Sequence, residues 1–434
     1  MKIGLISLGC AKNLVDSEMM LGLFKQANAE IVNKPSDADV IIVNTCGFIE
    51  DSKVEAINTI FEMVEVKNKY HNKLVVTGCL VERYKEDLEK EIPEVDAFIP
   101  IRDYAKFGAI LSSLFDTKLE DSLSPTIRLL STPPYWAYLR ISDGCDNRCT
   151  YCAIPLIRKG HISRPYGALL EEADILAKKG VKELVLISQD TTRYGRDINN
   201  DKSLLPNLLE DLAKSNNFDL IRFLYLYPDE IQDELLDVVA KYDCITPYFD
   251  VPIQHASSKV LSRMNRRGNK EFLQSLFKKI KEKVPNAILR TTLIVGFPGE
   301  TDEDFNELIE FINEIKFDKL GVFKYSPEEG TVGATFTDQI DDEIKTKRYI
   351  EVVKTQEKIA LECSKKHKGT THKTLVTGYD YKKNMYIGRS YAFAPDDVDG
   401  VIYFTSTKKL ENGDIVDVLI ENYFTHDLLG KVLD

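Results

Sequence analysis

Asp143-Gly-Cys-Asp-Asn-Arg-Cys-Thr-Tyr-Cys152 holds three of the chain's eight cysteines within ten residues. Cys145, Cys149 and Cys152 have the spacing C-x3-C-x2-C. Soft thiolates this close together can wrap one iron–sulfur cluster, and three ligands on a four-iron cubane leave one iron without a protein ligand. An open iron binds a small molecule. The competing reading is structural zinc, but zinc normally closes on four ligands and no His or Cys follows at finger spacing. The apolar run Trp136–Ile141 just upstream reads as a strand, which places the cysteines at its C-terminal end. In α/β barrels that end carries the chemistry.

Outward from this loop, five further strand patterns recur with helical stretches between them: Glu183–Ser188, Ile221–Tyr227, Tyr248–Ile253, Ile288–Val295 and Leu320–Tyr325. Six βα units predict an incomplete version of the eight-unit barrel. Upstream, a polar and then Ser/Pro-rich linker runs from Asp116 to Pro134. Before it, Lys2–Leu8, Glu30–Asn33, Val40–Asn44, Leu74–Thr77 and Ala97–Pro100 alternate with helices, the pattern of an open, Rossmann-like parallel sheet. Asn13 is the expected N-cap of the first helix. Downstream, a helix from Asp342 to about Lys368 ends at Gly369, and short strands near Lys373–Thr377, Met385–Gly388, Val401–Phe404, Ile415–Ile420 and Leu428–Leu433 predict a small β-barrel. The expected domains are 1–116, 131–361 and 364–434.

Length and composition agree with this division. At ~150 residues per domain, 434 residues suggest about three. Hydrophobic residues make up 43% and charged residues 29%, and no run approaches the ~18 apolar residues of a membrane span. A membrane protein is excluded on these grounds. The net charge of −12 disfavours a purely electrostatic nucleic-acid binder. Eight cysteines are too sparse for a disulfide scaffold, so a reducing, cytoplasmic setting is expected. The apolar run before Cys10 is too short for an export signal and reads as the first strand. P-loop, zinc-protease and serine-hydrolase signatures are absent from the sequence.

A second group of thiols is dispersed. Cys10, Cys46 and Cys79 follow strands in Ile6-Ser-Leu-Gly-Cys10, Ile42-Val-Asn-Thr-Cys46 and Val75-Val-Thr-Gly-Cys79. Parallel strands point the same way, so the three thiols can converge on one sheet edge, where open α/β sheets bind ligands. A second three-thiolate cluster is one reading and ordinary buried cysteine the other. Cys244 and Cys363 stand apart and are expected to pack.

The C-x3-C-x2-C loop with an aromatic before its last cysteine resembles the radical S-adenosylmethionine (SAM) superfamily. Ser7-Leu-Gly-Cys-Ala-Lys-Asn-Leu-Val-Asp-Ser-Glu18 and Asn44-Thr-Cys-Gly-Phe-Ile-Glu50 resemble its methylthiotransferase branch. The resemblance spans essentially the whole chain and implies a methylthiotransferase N-terminal domain, a radical SAM core and a C-terminal TRAM domain. It further implies replacement of an unactivated C–H by C–S–CH3 and two [4Fe-4S] clusters. In that scheme the cluster on Cys145, Cys149 and Cys152 cleaves SAM to a 5′-deoxyadenosyl radical. The cluster on Cys10, Cys46 and Cys79 holds the sulfur, and a second SAM gives the methyl group. An external electron donor and a sulfur source are implied as partners.

By motif position, Tyr151 resembles the residue that contacts adenine, although as an isolated aromatic it reads as packing. Gln189 and Asp190, in Ser188-Gln-Asp-Thr-Thr192, occupy the place where the superfamily meets the SAM amine, but depart from its common Gly-Gly-Glu; turn chemistry is the alternative. Gln254 follows the fourth strand. Arg266 has the chemistry to hold the SAM carboxylate, against a solvated position on a charged helix. Gly296, in Gly-Phe-Pro-Gly-Glu-Thr301, permits close approach to a ligand or simply makes a turn with Thr301 as N-cap. His161 and His255 are left without a role, because hydrogen-atom abstraction needs no general base.

Two substrates divide the branch: an aspartate β-carbon of small-subunit ribosomal protein S-twelve, and isopentenyl-adenosine in transfer RNA. The wording Ala11-Lys12-Asn13-Leu14-Val15 favours the protein. Residues 364–434 carry ten Lys/Arg and ten Asp/Glu, a neutral tail on an acidic chain. That suits a basic protein better than RNA, whose affinity rests on phosphate contacts, although Lys382, Lys383, Lys408 and Lys409 remain available to RNA. A non-catalytic iron–sulfur factor that binds the ribosome is the reading from another class; it leaves the polar residues at the barrel strand ends without a purpose.

Overall fold

The computed structural model describes residues 1–115, 118–395 and 399–433. Asp116, where the first domain was expected to meet the linker, and the terminal Asp434 lie outside the described residues. The first region is a five-stranded, all-parallel sheet in the order β2-β1-β3-β4-β5, with β1 Lys2–Ser7, β2 Glu30–Val32, β3 Val40–Thr45, β4 Lys73–Gly78 and β5 Ala97–Pro100. Its strands read as continuous apolar runs because both faces are covered. Ile41, Val43, Leu74 and Val76 pack against α2 (Glu50–Tyr70) and α3 (Cys79–Glu91), while Val40, Ile42 and Val75 meet α1 (Ala11–Gln26) and α4 (Phe107–Phe115).

The N-cap of α1 is Cys10 rather than Asn13. Asn13 sits inside the first turn, where its amide donates to the carbonyls of Leu8 (3.1 Å) and Thr45 (2.9 Å). Tertiary partners have overridden a local capping signal.

Six parallel strands form the middle region. They are β6 (Trp136–Arg140), β9 (Glu183–Ile187), β10 (Leu220–Phe223), β11 (Tyr248–Asp250), β12 (Ile288–Val295) and β13 (Lys319–Lys324). They hydrogen-bond as two three-stranded sheets, β6-β9-β10 and β11-β12-β13, joined by a parallel bridge between Ile221 and Ile245. The short pair β7 (Ser142–Asp143) and β8 (Ile162–Ser163) brackets the cysteine loop. Thr301 caps α11 (Asp302–Ile315) through a full capping box with Asp304, as its sequence position predicts.

The tail is a closed barrel in the order β14-β15-β16-β18-β17, formed by Thr371–Asp380, Met385–Arg389, Ile402–Thr405, Leu428–Val432 and Ile415–Tyr423 respectively. It covers the bottom of the six-stranded unit. Trp136, Leu220, Tyr248 and Ile288, all at the beginnings of core strands, share a buried cluster with Leu375, Phe393 and Phe404. Glu183 lies buried between Arg222 (3.0 Å) and Arg389 (2.5 Å) at the same seam. The tail therefore leaves the C-terminal ends of the core strands open.

The first region closes that open end from one side. Asp16 of α1 pairs with Arg140 (2.5 Å) and Arg158 (2.7 Å), and Glu328 takes Lys53 (3.1 Å) and Arg83 (3.3 Å). These buried pairs contribute orientation more than stability, since desolvation offsets much of their attraction.

Candidate active site between the two cysteine groups

Between the sheet edge and the core strand ends lies a cavity of about 590 Å³. All six expected cysteines line it, with Tyr151, Gln189, Asp190, Gln254 and Arg266. Gly296 does not. Its φ is +72°, its N–H donates to Glu300, and a Cβ would lie 2.3 Å from Cγ of Lys345. This glycine serves a turn packed on the helix Asp342–Lys365, the second of the two readings its sequence offers. Cys244 and Cys363 pack in or against the barrel core.

The dispersed thiols are brought together by the polar residues around them. Asn44 donates to the Asn13 carbonyl (2.9 Å) and to Ser17 Oγ (2.9 Å), while Ser17 donates to Ser7 (2.8 Å). Thr45 donates to the Thr77 carbonyl (2.6 Å). Three strand ends are thus cross-linked beside the cysteines. Gly78 supplies the turn into Cys79 at φ +98°, and a Cβ there would lie 2.4 Å from both Asn44 Oδ1 and the Thr45 carbonyl. Cys79 Sγ donates to Asn13 Oδ1 (3.4 Å), the same atom that accepts from Arg158 (2.8 Å).

Arg158 follows the C-x3-C-x2-C loop and pairs with Asp143 (3.2 Å) as well as Asp16. One guanidinium thus joins the local cysteine loop to the sheet that carries the other three thiols. Burial works against its charge, but Asp16 and Asp143 outweigh it and hold the guanidinium firmly protonated.

Burial pushes the thiol of Cys79 up to about 12, Cys145 to about 11 and Cys152 to about 12, and raises Cys46 as well. Arg158 acts in the opposite direction on Cys79, and Arg266 on Cys152. A metal group that takes up these thiols must displace their protons, and the fixed cations beside Cys79 and Cys152 favour the thiolate form it binds. Among the described residues no three His, Cys, Asp or Glu side chains close to the spacing of a single metal ion.

Arg266 is not on a solvated helix face. It lies in the turn after α9 (Ser258–Arg263), buried, and donates to the Pro252 carbonyl. Its guanidinium covers the Tyr227 ring at 4.1 Å and stands 3.8 Å from Cys149 Sγ and 3.5 Å from Tyr151 Oη. Gln189 donates to Asp143 (3.2 Å), while its own oxygen is buried without a partner. Asp190 accepts from Asn147 (2.6 Å) and Thr192; burial raises its pKa. Gln254 sits at φ +69° and forms an isolated parallel bridge with Leu293, beyond the end of β11. A cation beside Cys149 and an unsatisfied amide oxygen fit a small zwitterion.

Lys12, Asn147, Arg158, Tyr225 and Tyr227 also line the cavity and were not singled out as site residues. Tyr225 and Tyr227 had a signal, because they end the third core strand pattern.

Profiles of known families cover the chain in three pieces. The uncharacterized protein family UPF0004 matches residues 2–100, the radical SAM superfamily 139–312 and the TRAM domain 369–433. The protein named "Ribosomal protein uS12 methylthiotransferase RimO" from Alkaliphilus oremlandii is 49% identical over all of this chain and 99% of its own. The chain belongs to the RimO family.

RimO proteins of Clostridium tetani and Caldicellulosiruptor saccharolyticus are 46% and 45% identical, each over the whole of this chain and 98% and 100% of their own lengths. As a RimO-family member the chain is a radical SAM methylthiotransferase, with the iron–sulfur and SAM chemistry of that superfamily. Among solved structures, the radical SAM methyltransferase TsrM of Kitasatospora setae has a TM-score of 0.56 at 13% identity, covering 74% of each chain. The cobalamin-dependent radical enzyme OxsB has a TM-score of 0.52 at 13% identity, over 82% of this chain and 56% of its own. At that identity the likeness is one of fold. Among the described residues no helix is long and apolar enough to cross a membrane.

Proposed function

We propose that this RimO-family chain transfers a methylthio group to the β-carbon of an aspartate in ribosomal protein uS12. The observation that carries this reading is the opening of both cysteine groups into one cavity. Cys145, Cys149 and Cys152 would hold one [4Fe-4S] cluster and Cys10, Cys46 and Cys79 a second, the first supplying the electron for SAM cleavage and the second the sulfur. Tyr151, Gln189, Asp190, Gln254 and Arg266 would bind SAM beside the first. Arg266 offers its carboxylate a guanidinium already fixed by Pro252 and Tyr227, and the partnerless Gln189 oxygen offers its ammonium an acceptor.

The functional units are taken as 1–116, 131–361 and 364–434. An electron donor and a sulfur source complete the stoichiometry, and the enzyme works in the cytoplasm, where its substrate is made. The test is anaerobic reconstitution with iron and sulfide, followed by incubation with reductant, SAM and either uS12 or transfer RNA. The expected result is the mass gain of SCH3 replacing H on one aspartate of uS12. The same gain on transfer RNA alone overturns the substrate.

A further inference from the structure

Four charged residues line the cavity: Lys12, Arg158, Asp190 and Arg266. Three have partners. Arg158 is held by Asp16 and Asp143, Asp190 accepts from Asn147 and Thr192, and Arg266 donates to Pro252. Lys12 differs. It is only 7% exposed, and its ammonium lies 3.3 Å from the centre of the Tyr225 ring. It makes no hydrogen bond or ion pair to any described residue. The strongest favourable charge acting on it is that of Cys10, two residues back, which is committed to the dispersed thiol group, and the nearest carboxylates are already engaged: Asp250 with Arg290 (3.2 Å), Asp143 with Arg158 (3.2 Å) and Arg140 (3.6 Å).

A buried ammonium without a hydrogen-bonded anion is costly, and a ring face compensates for only part of its lost hydration. An anion entering the cavity recovers the rest. Lys12 belongs to the wall of the dispersed thiols, two residues after Cys10, and Tyr225 to the opposite wall, two residues past the end of the third core strand. An anion bound there sits between the two cysteine groups. The SAM carboxylate has its own guanidinium in Arg266, beside Cys149. The anion left for Lys12 is therefore on the other substrate.

We propose that Lys12 is the specificity residue of this site, binding the side-chain carboxylate of the residue to be modified and so restricting the reaction to acidic side chains. This rests on the function proposed above and accounts for its choice of aspartate. A carboxylate offers the ammonium a charge-assisted hydrogen bond, whereas the amide of asparagine offers a weaker one.

The experiment compares iron-loaded wild type with Lys12→Gln, Lys12→Met and Lys12→Arg. Substrates are uS12 and a uS12 variant whose target aspartate is replaced by asparagine. Wild type should favour the aspartyl protein by about 100-fold or more in kcat/KM, as expected of a site built around one polar group. Lys12→Gln and Lys12→Met should bring the ratio near one, chiefly by slowing the aspartyl protein, and Lys12→Arg should restore part of it. Equilibrium binding of the two proteins without SAM should show the same loss of preference. Iron per chain and SAM affinity should stay at wild-type values.

An unchanged ratio in the Gln and Met variants overturns the proposal, as does weaker SAM affinity with the ratio preserved. Iron loss in all three variants assigns Lys12 to the metal group and also overturns it. If wild type modifies neither protein, the proposed function itself falls and takes this inference with it.

Discussion

The two cysteine groups reach one cavity by different physical routes. Cys145, Cys149 and Cys152 lie on one loop, so their proximity is nearly a property of chain length. Cys10, Cys46 and Cys79 are separated by more than thirty residues at each step and meet only because three parallel strands end together. The first group needs a loop to be held; the second needs a sheet to be folded. Cluster loading at the second should therefore be the more sensitive to mutations that disturb strand packing.

The largest effects come from deleting each group. Replacing Cys145, Cys149 and Cys152 by alanine should abolish both SAM cleavage and methylthiolation. Replacing Cys10, Cys46 and Cys79 should abolish methylthiolation and leave SAM cleavage measurable. Each triple variant should retain about four of about eight irons, the sum of two four-iron sites. Four irons in wild type, falling to none in the first variant, would reduce the second group to strand-end packing.

Asp16 tests the hinge between the groups, since it pairs with Arg158 beside the loop from a helix that starts at Cys10. Asp16→Asn leaves Arg158 and Arg140 to share Asp143 in a buried seam. The expected cost is about 1.5–3 kcal/mol of stability, read as a lower thermal midpoint with iron lost from both groups. Loss confined to one group would show that the seam does not couple them.

Gly78→Ala probes the sheet alone. An added Cβ would lie 2.4 Å from the Thr45 carbonyl, at a φ of +98° that L-residues avoid. A cost of about 1–3 kcal/mol is expected, with iron lost from the Cys10, Cys46 and Cys79 group while SAM cleavage persists. Equal loss from both groups would erase the distinction between a loop site and a sheet site.

The same distinction governs what could be read before folding. The loop cysteines are legible from spacing, and the strand-end cysteines from one rule about parallel sheets. All six core strands are legible in the sequence, but two patterns overshoot by three or more residues: Ile221–Tyr227 ends at Phe223 and Tyr248–Ile253 at Asp250. Beyond those points Tyr225 and Gln254 adopt positive φ and turn toward the cavity. Regularity is lost where side chains are diverted to the site, so the apolar period overshoots there. Asn13, Arg266 and Lys12 share another cause. Their polar side chains are buried through partners or surroundings far away in sequence, so a local reading makes them a cap, a solvated face and a lysine with no site role.

The smallest expected effect separates the tail from both cysteine groups. His372 opens the tail barrel, fully buried, stacked on Tyr391 at 4.9 Å, with its ring nitrogens beside Ser390 (2.9 Å) and His367 (3.1 Å). Burial, helped by His367, lowers its pKa to about 3, against 6.5 for a free imidazole. His367 is lowered as well by its own burial, although Asp318 acts on it in the opposite sense. Well above pH 6.5 neither folded nor unfolded chain carries a proton on His372, and stability does not depend on it. Between 6.5 and 3 the unfolded chain takes up a proton that the folded one resists, so stability falls as the pH falls. The slope is at most about 1.4 kcal/mol per pH unit for this one group. Denaturant titrations at pH 7.5 and 5.5 should show the loss, and His372→Gln should reduce it while leaving iron content at both pH values as in wild type. An equal slope in the variant would assign the acid sensitivity to the ion-paired seams above the barrel, and so to the region that holds the cysteines.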